Sequence, residues 1–111
     1  MQFLILDTEY TSWEGAAARN WSEPGEFKEL VQLSSIKVFD LRTFHSTQFF
    51  SLYTKPTRNE KLSNYFIDLT GISQSTINTL GVQIDEAIDC FGDFSKAVSY
   101  THLTLPTIYS V

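Results

Sequence analysis

The order of elements along the chain predicts an α/β domain in which three strands precede a run of short helices. Three observations carry this reading. Gln2 to Thr8 is an unbroken apolar run ending in polar residues, as expected of a strand covered on both faces. Phe27 to Phe39 is rich in Val, Ile and Leu, and Phe44 to Thr54 carries Phe49, Phe50, Leu52 and Tyr53. From Leu62 onward the apolar spacing changes from that of a strand to that of a helix.

The elements follow in order. Tyr10 to Glu26, rich in Gly, Ala, Ser, Asn and Pro, separates the first two strands as a long loop, and a loop of that length is often functional. Asp40 to Thr43 can turn the chain tightly, so the second and third strands should be antiparallel, and Pro56 closes the third. Leu62, Tyr65, Phe66 and Leu69 recur at i, i+3, i+4 and i+7, predicting one buried helix face, with Gly71 as the stop. Ser73 suits the N-cap of a second helix, and Ile72 and Ile77 stand where a hydrophobic staple needs them. Ile84, Ala87, Ile88 and Phe91 predict the inward face of a third helix, weakened by Gly92. Asp85, Asp89 and Asp93 share its solvated face, and Cys90 is expected in its core. Three strands and short helices bury a modest core, which predicts an incomplete domain.

Composition narrows the classes. A hydrophobic content of 42% with 14% aromatics is globular rather than disordered. No stretch approaches the roughly 20 apolar residues of a membrane span, and Met1 to Leu6 lacks the features of a signal peptide, so no membrane association and a cytoplasmic address are expected. The single cysteine, Cys90, excludes an internal disulfide and a thiolate metal cluster. The net charge of −5 means that binding of nucleic acid requires bound cations or a local basic patch.

Val98 to Val111 contains no Asp, Glu, Lys or Arg and abandons the helical period before it. The segment VSYTHLTLPT resembles the translation of a transposase sequencing adapter, whose bases TCTTATACACATCT encode Ser-Tyr-Thr-His-Leu in this frame. The expectation is therefore a native part over residues 1–97 and a non-native tail over residues 98–111. A natural Thr/Tyr-rich strand is the alternative.

Asp7 and Glu9 end the first strand. Residues two apart on a strand point to the same face, with Cα atoms about 6.5–7 Å apart. Phe3, Ile5, Asp7 and Glu9 thus line one face, passing from core to acidic rim. Two carboxylates held together repel, and a divalent cation between them relieves the repulsion; hard oxygen donors suit Mg²⁺ or Mn²⁺. The alternative is an Asp that starts a turn beside an exposed Glu.

The run FLILDTEYTSWEG, followed by KELVQLSSIKV and LSNYFIDLTGIS, resembles the DEDD superfamily of 3′–5′ exonucleases. The similarity is to the branch whose general base is histidine, which includes ribonuclease T, the proofreading subunit of DNA polymerase III and the Eri-type exonucleases. The resemblance implies a ribonuclease H-like fold, here incomplete. It implies Asp7 and Glu9 as the first two acidic ligands, with Asp7 touching both of two Mg²⁺ or Mn²⁺ ions. Thr8 and Tyr10 would lie near the 3′-terminal nucleotide, and Leu69 and Thr70 would help wall its base pocket. Glu29 and Gln32 are expected to make structural hydrogen bonds. The implied chemistry is phosphodiester hydrolysis at single-stranded RNA or DNA ends with two metals about 3.5–4 Å apart and a histidine accepting the proton of water. A homodimer of the full-length protein also accords with the resemblance.

The family pattern requires two further aspartates and the histidine, which this sequence does not supply. Asp85, Asp89 and Asp93 lack the motif context, His102 falls in the suspect tail, and His45 reads as a surface residue. Trp13, Arg19 and Trp21 could stack bases and touch phosphate, or simply pack the long loop. Ser73 and Thr76 read as capping residues. A catalytically silent nucleic-acid-binding or interaction module with the same fold is the competing function.

Overall fold

The computed structural model describes residues 3–40, 42 and 45–96. The suspect tail with His102, and the side chain of His45, lie outside the described residues. Strands β1 (Phe3–Tyr10), β2 (Leu30–Asp40) and β3 (His45–Tyr53) form one antiparallel sheet in the order β1-β2-β3. Helices α1 (Asn64–Thr70), α2 (Gln74–Leu80) and α3 (Ile84–Ser95) follow. The sheet register pairs Asp7 with Ser34 and Glu9 with Gln32, and shifts between Glu9 and Tyr10. β2 continues the rows onto β3, pairing Ser34 with Ser51 and Ile36 with Phe49.

Alternation along β2 divides the sheet into two unlike faces. Val31, Leu33, Ser35 and Lys37 are buried beneath the helices. Val31 joins Leu62, Phe66, Ile72 and Ile77 in the core, with Tyr53 and Ile67 packed against it. Farther along, the Phe50 ring lies 5.7 Å from Phe91 and 5.2 Å from Phe94, and the Lys37 ammonium sits 4.6 Å over Phe94. Removing an aromatic side chain from a core of this kind costs about 3–5 kcal/mol, so Phe66 anchors the helical layer. The opposite face, with Ile5, Asp7, Ser34, Ile36, Phe49 and Ser51, carries no helix among the described residues; Phe49 is 74% exposed there.

The caps follow local chemistry. Ser63 and Ser73 accept from the backbone N–H groups of Phe66 and Thr76. Gly71 ends α1 at φ 76°, a conformation that L side chains avoid. Both Ile72 and Ile77 are buried, as the staple requires.

Four expectations are corrected. Only Phe66 is buried within α1, because Leu62 precedes its N-cap while Tyr65 and Leu69 turn outward. The inward row of α3 is Ala87, Phe91 and Phe94, and Ile84 and Ile88 are exposed. Cys90 follows them to the surface. The apolar run of β1 is likewise covered on one face only among the described residues.

Candidate metal and nucleic-acid site

The long loop between β1 and β2 is closed at its base by Thr11. Its backbone N–H donates to the Glu29 carbonyl at 2.8 Å, its hydroxyl donates to the Phe27 carbonyl at 2.6 Å, and the same hydroxyl accepts from the Glu29 N–H at 2.9 Å. Inside the loop, Arg19 donates to both carboxylate oxygens of Glu26 and to the Glu14 carbonyl. Arg19 therefore holds the loop together. Trp21 donates from its indole N–H to the Thr11 carbonyl at 2.8 Å, and its own backbone sits at φ 53°. A bulky residue there is strained by about 1–2 kcal/mol, and the two bonds at Thr11 and Ala16 hold it.

This loop, the end of β1 and helix α1 enclose a cleft of about 130 Å³. Thr8, Glu9 and Tyr10 enter it from the strand, Trp13 and Trp21 from the loop, and Tyr65 and Leu69 from the helix. Apolar periodicity put Tyr65 and Leu69 on a buried helix face, whereas the family resemblance placed Leu69 beside the base pocket; both line this cleft, and their i, i+4 spacing was the available signal for one shared face. Thr70 does not line the cleft. Its hydroxyl donates to the Phe66 carbonyl at 2.9 Å and accepts from the Ile72 N–H at 3.1 Å, tying the end of α1.

Asp7 and Glu9 stand at the seam of two concavities. Glu9 borders the cleft, while Asp7 borders a shallow hollow of about 330 Å³ on the open sheet face, with Ile5, Ser34 and Ile36. Burial, and then the charge of Asp7, raise the pKa of Glu9 above its ordinary value. The two carboxylates therefore feel each other. Neither makes a hydrogen bond or ion pair among the described residues, whereas Glu29 is fully engaged. It accepts from the N–H groups of Thr57, Arg58 and Asn59 at 2.8, 3.0 and 2.8 Å and from the Thr57 hydroxyl at 3.1 Å. Burial alone would raise the pKa of Glu29, but these donors lower it. Its structural role matches expectation.

The donor chemistry of Asp7 and Glu9 fits a hard divalent cation: two carboxylates, mutually repelling and with no ion-pair partner among the described residues. No third His, Cys, Asp or Glu joins them in a metal-holding group among the described residues. No helix of the described residues is long and apolar enough to cross a membrane.

Three antiparallel strands backed by helices define an incomplete α/β domain of the ribonuclease H-like exonuclease type. No family model matches the chain. Over 104 residues, 93% of its length, it is 31% identical to the 3′–5′ exonuclease Snipper of Drosophila melanogaster, of which it spans 35%. The chain thus spans about a third of that curated relative. The structure of the nuclease domain of 3′hExo, a DEDDh family member bound to rAMP, is similar at a TM-score of 0.69 and 25% identity. That match covers 86% of this chain and 44% of the other. Cell-death related nuclease 4 (CRN-4) matches at a TM-score of 0.68 and 24% identity, covering 88% and 31%, a likeness of fold. The chain is related in sequence and fold to the DEDD-superfamily 3′–5′ exonucleases of the histidine-base branch.

Proposed function

We propose that this chain carries part of the active site of a metal-dependent 3′–5′ exonuclease acting on single-stranded RNA or DNA ends. The observation that carries the reading is the pair Asp7 and Glu9, adjacent on a strand, electrostatically coupled and unneutralised, at the mouth of an aromatic cleft. That relatives of this chain are 3′–5′ exonucleases supports it. Asp7 and Glu9 would hold Mg²⁺ or Mn²⁺, and a divalent cation there supplies Lewis acidity and neutralises phosphate charge. Thr8, Tyr10 and Leu69 wall the space for the 3′-terminal nucleotide, and Thr70 fixes the helix end that presents Leu69. Burial and the charge of Asp7 raise the pKa of Glu9, and a cation between the two carboxylates would relieve that repulsion.

Hydrolysis needs further acidic ligands and a base. On this reading they lie in the part of the protein that this chain does not span. The test is to recover the uninterrupted coding sequence and assay Mg²⁺-dependent shortening of a 5′-labelled oligonucleotide from its 3′ end. The full protein should digest it, Asp7→Asn and Glu9→Gln should lower the rate at least about 100-fold (an electrostatic loss of roughly 2.7 kcal/mol or more), and residues 1–97 alone should be inactive. Robust digestion by residues 1–97, or full activity in Asp7→Asn, contradicts the proposal. A downstream sequence without the aspartates and histidine favours a silent binding module.

A further inference from the structure

The cleft has a rim that its walls do not account for. The Lys28 ammonium lies 4.8 Å from the ring centroid of Tyr10 and 4.4 Å from that of Trp21, and both rings line the cleft beside Glu9. Lys28 also lines a groove of about 250 Å³ together with Lys55 and Thr57. One side chain thus joins the cleft to a second depression. Arg58 extends the basic character, its guanidinium lying 4.4 Å over the ring of Phe27, next to Lys28 in the chain.

We propose that Lys28 and Lys55 form a phosphate-tracking path that leads the single strand upstream of its 3′ end away from the cleft. The inference rests on the reading of that cleft as the 3′-end site. The distribution of charge supports it. In a chain of net charge −5, Arg19 is held by Glu26, Lys96 pairs with Asp93 on the surface, and Lys37 is buried over Phe94. Lys28, Lys55 and Arg58 are exposed and form no ion pair among the described residues. Glu29, the carboxylate that lines the groove, turns its oxygens to the donors of residues 57–59. The farther hollow past Lys55 is lined by Glu60, so the path ends at Lys55.

The geometry also selects what is recognised. Lys28 covers one face of each of the Tyr10 and Trp21 rings, and its ammonium keeps donors free for a phosphate oxygen. The strained Trp21 backbone, pinned by Thr11 and Ala16, fixes the ring on which Lys28 rests. Recognition along the path is of the phosphodiester backbone, common to RNA and DNA and independent of base sequence.

The test is fluorescence anisotropy with the chain itself, in Mg²⁺, on 5′-fluorescein oligothymidylate and oligouridylate of about twelve nucleotides, with the dinucleotides as short probes. At about 50 mM salt, Lys28→Gln/Lys55→Gln should weaken binding of both long probes roughly tenfold and flatten the log–log salt slope by about 1.4, the value for two phosphates of a single strand. The dinucleotides should be unaffected, and the melting temperature should fall by no more than about 4–8 °C, since the exposed contacts of Lys28 with the two rings are worth about 0.5–1 kcal/mol. No measurable binding of the long probes, an unchanged salt slope, or an equal loss on the dinucleotides overturns the path. Asp7→Asn separates the two proposals: if it removes metal-dependent binding of both lengths while the lysine changes do nothing, the path fails and the site reading survives. If the lysine changes weaken only the long probes while metal and Asp7 have no effect, the path stands without that site.

Discussion

Replacing Asp7 with Asn should stabilise the metal-free chain. Asp7 and Glu9 lie on one strand face, with Cα atoms about 6.5–7 Å apart, and the charge of Asp7 contributes to the raised pKa of Glu9. At about 7 Å and an effective dielectric between about 40 and 80, their repulsion is roughly 0.6–1.2 kcal/mol. Asp7 is exposed, so the lower half of that range applies at ordinary ionic strength. Removing the charge should therefore raise the melting temperature by roughly 3–5 °C for a domain of this size. The sign of the pH dependence follows from Glu9. A carboxyl whose folded pKa is raised carries no penalty well below its ordinary value of 4.5, and the penalty grows as pH rises through 4.5 to the folded pKa. The gain from Asp7→Asn should be small near pH 4 and fully present at pH 7, read by thermal unfolding in chelator. Burial, the larger cause, remains in the variant, so Glu9 should return only partly toward its ordinary pKa. A variant less stable than the parent at pH 7, or a gain that does not grow between pH 4 and 7, refutes the reasoning.

The opposite pH behaviour is expected at Glu29. Its folded pKa is depressed, so its stabilisation is present above the ordinary carboxylate range and is lost as pH falls through the folded pKa; Glu29→Ala should cost about 1–2 kcal/mol at pH 7, because water replaces part of four hydrogen bonds, and denaturant titration at pH 7 and pH 3 should show the cost shrinking in acid. Gly81→Ala should cost about 1–3 kcal/mol, since a Cβ there would stand 2.6 Å from the Ile77 carbonyl oxygen and 2.7 Å from Lys55 Cγ; an unchanged unfolding midpoint would contradict it.

The three strands, the antiparallel pairing of β2 with β3 and the shared face of Asp7 and Glu9 were legible because a short link and a period of two are local properties. The period fixes which side chains share a face before any partner is known. The caps at Ser73 and Gly71 were legible for the same reason. The helix faces were not. Leu62 fills the core from outside α1, so a helix of two turns presents Tyr65 and Leu69 to the cleft instead. In α3 the buried row is set by Phe50 of β3, which meets Phe91 and Phe94 and leaves Ile84 and Ile88 outward. Lys28 could not be read as part of the site, because its approach to Tyr10 and Trp21 depends on the loop that Thr11 closes. Likewise, of Trp13, Arg19 and Trp21, the tryptophans border the cleft while Arg19 is engaged by Glu26.

The central claim is that Asp7 and Glu9 grip a divalent cation, and paramagnetic broadening of the chain's backbone NMR signals by Mn²⁺ tests it most directly. Signals of residues 5–10 and of their neighbours 32–36 across the sheet should broaden first, and Asp7→Asn/Glu9→Gln should abolish the effect. Broadening centred instead on the exposed Asp85, Asp89 and Asp93 of α3, or persisting in the double variant, would contradict the account.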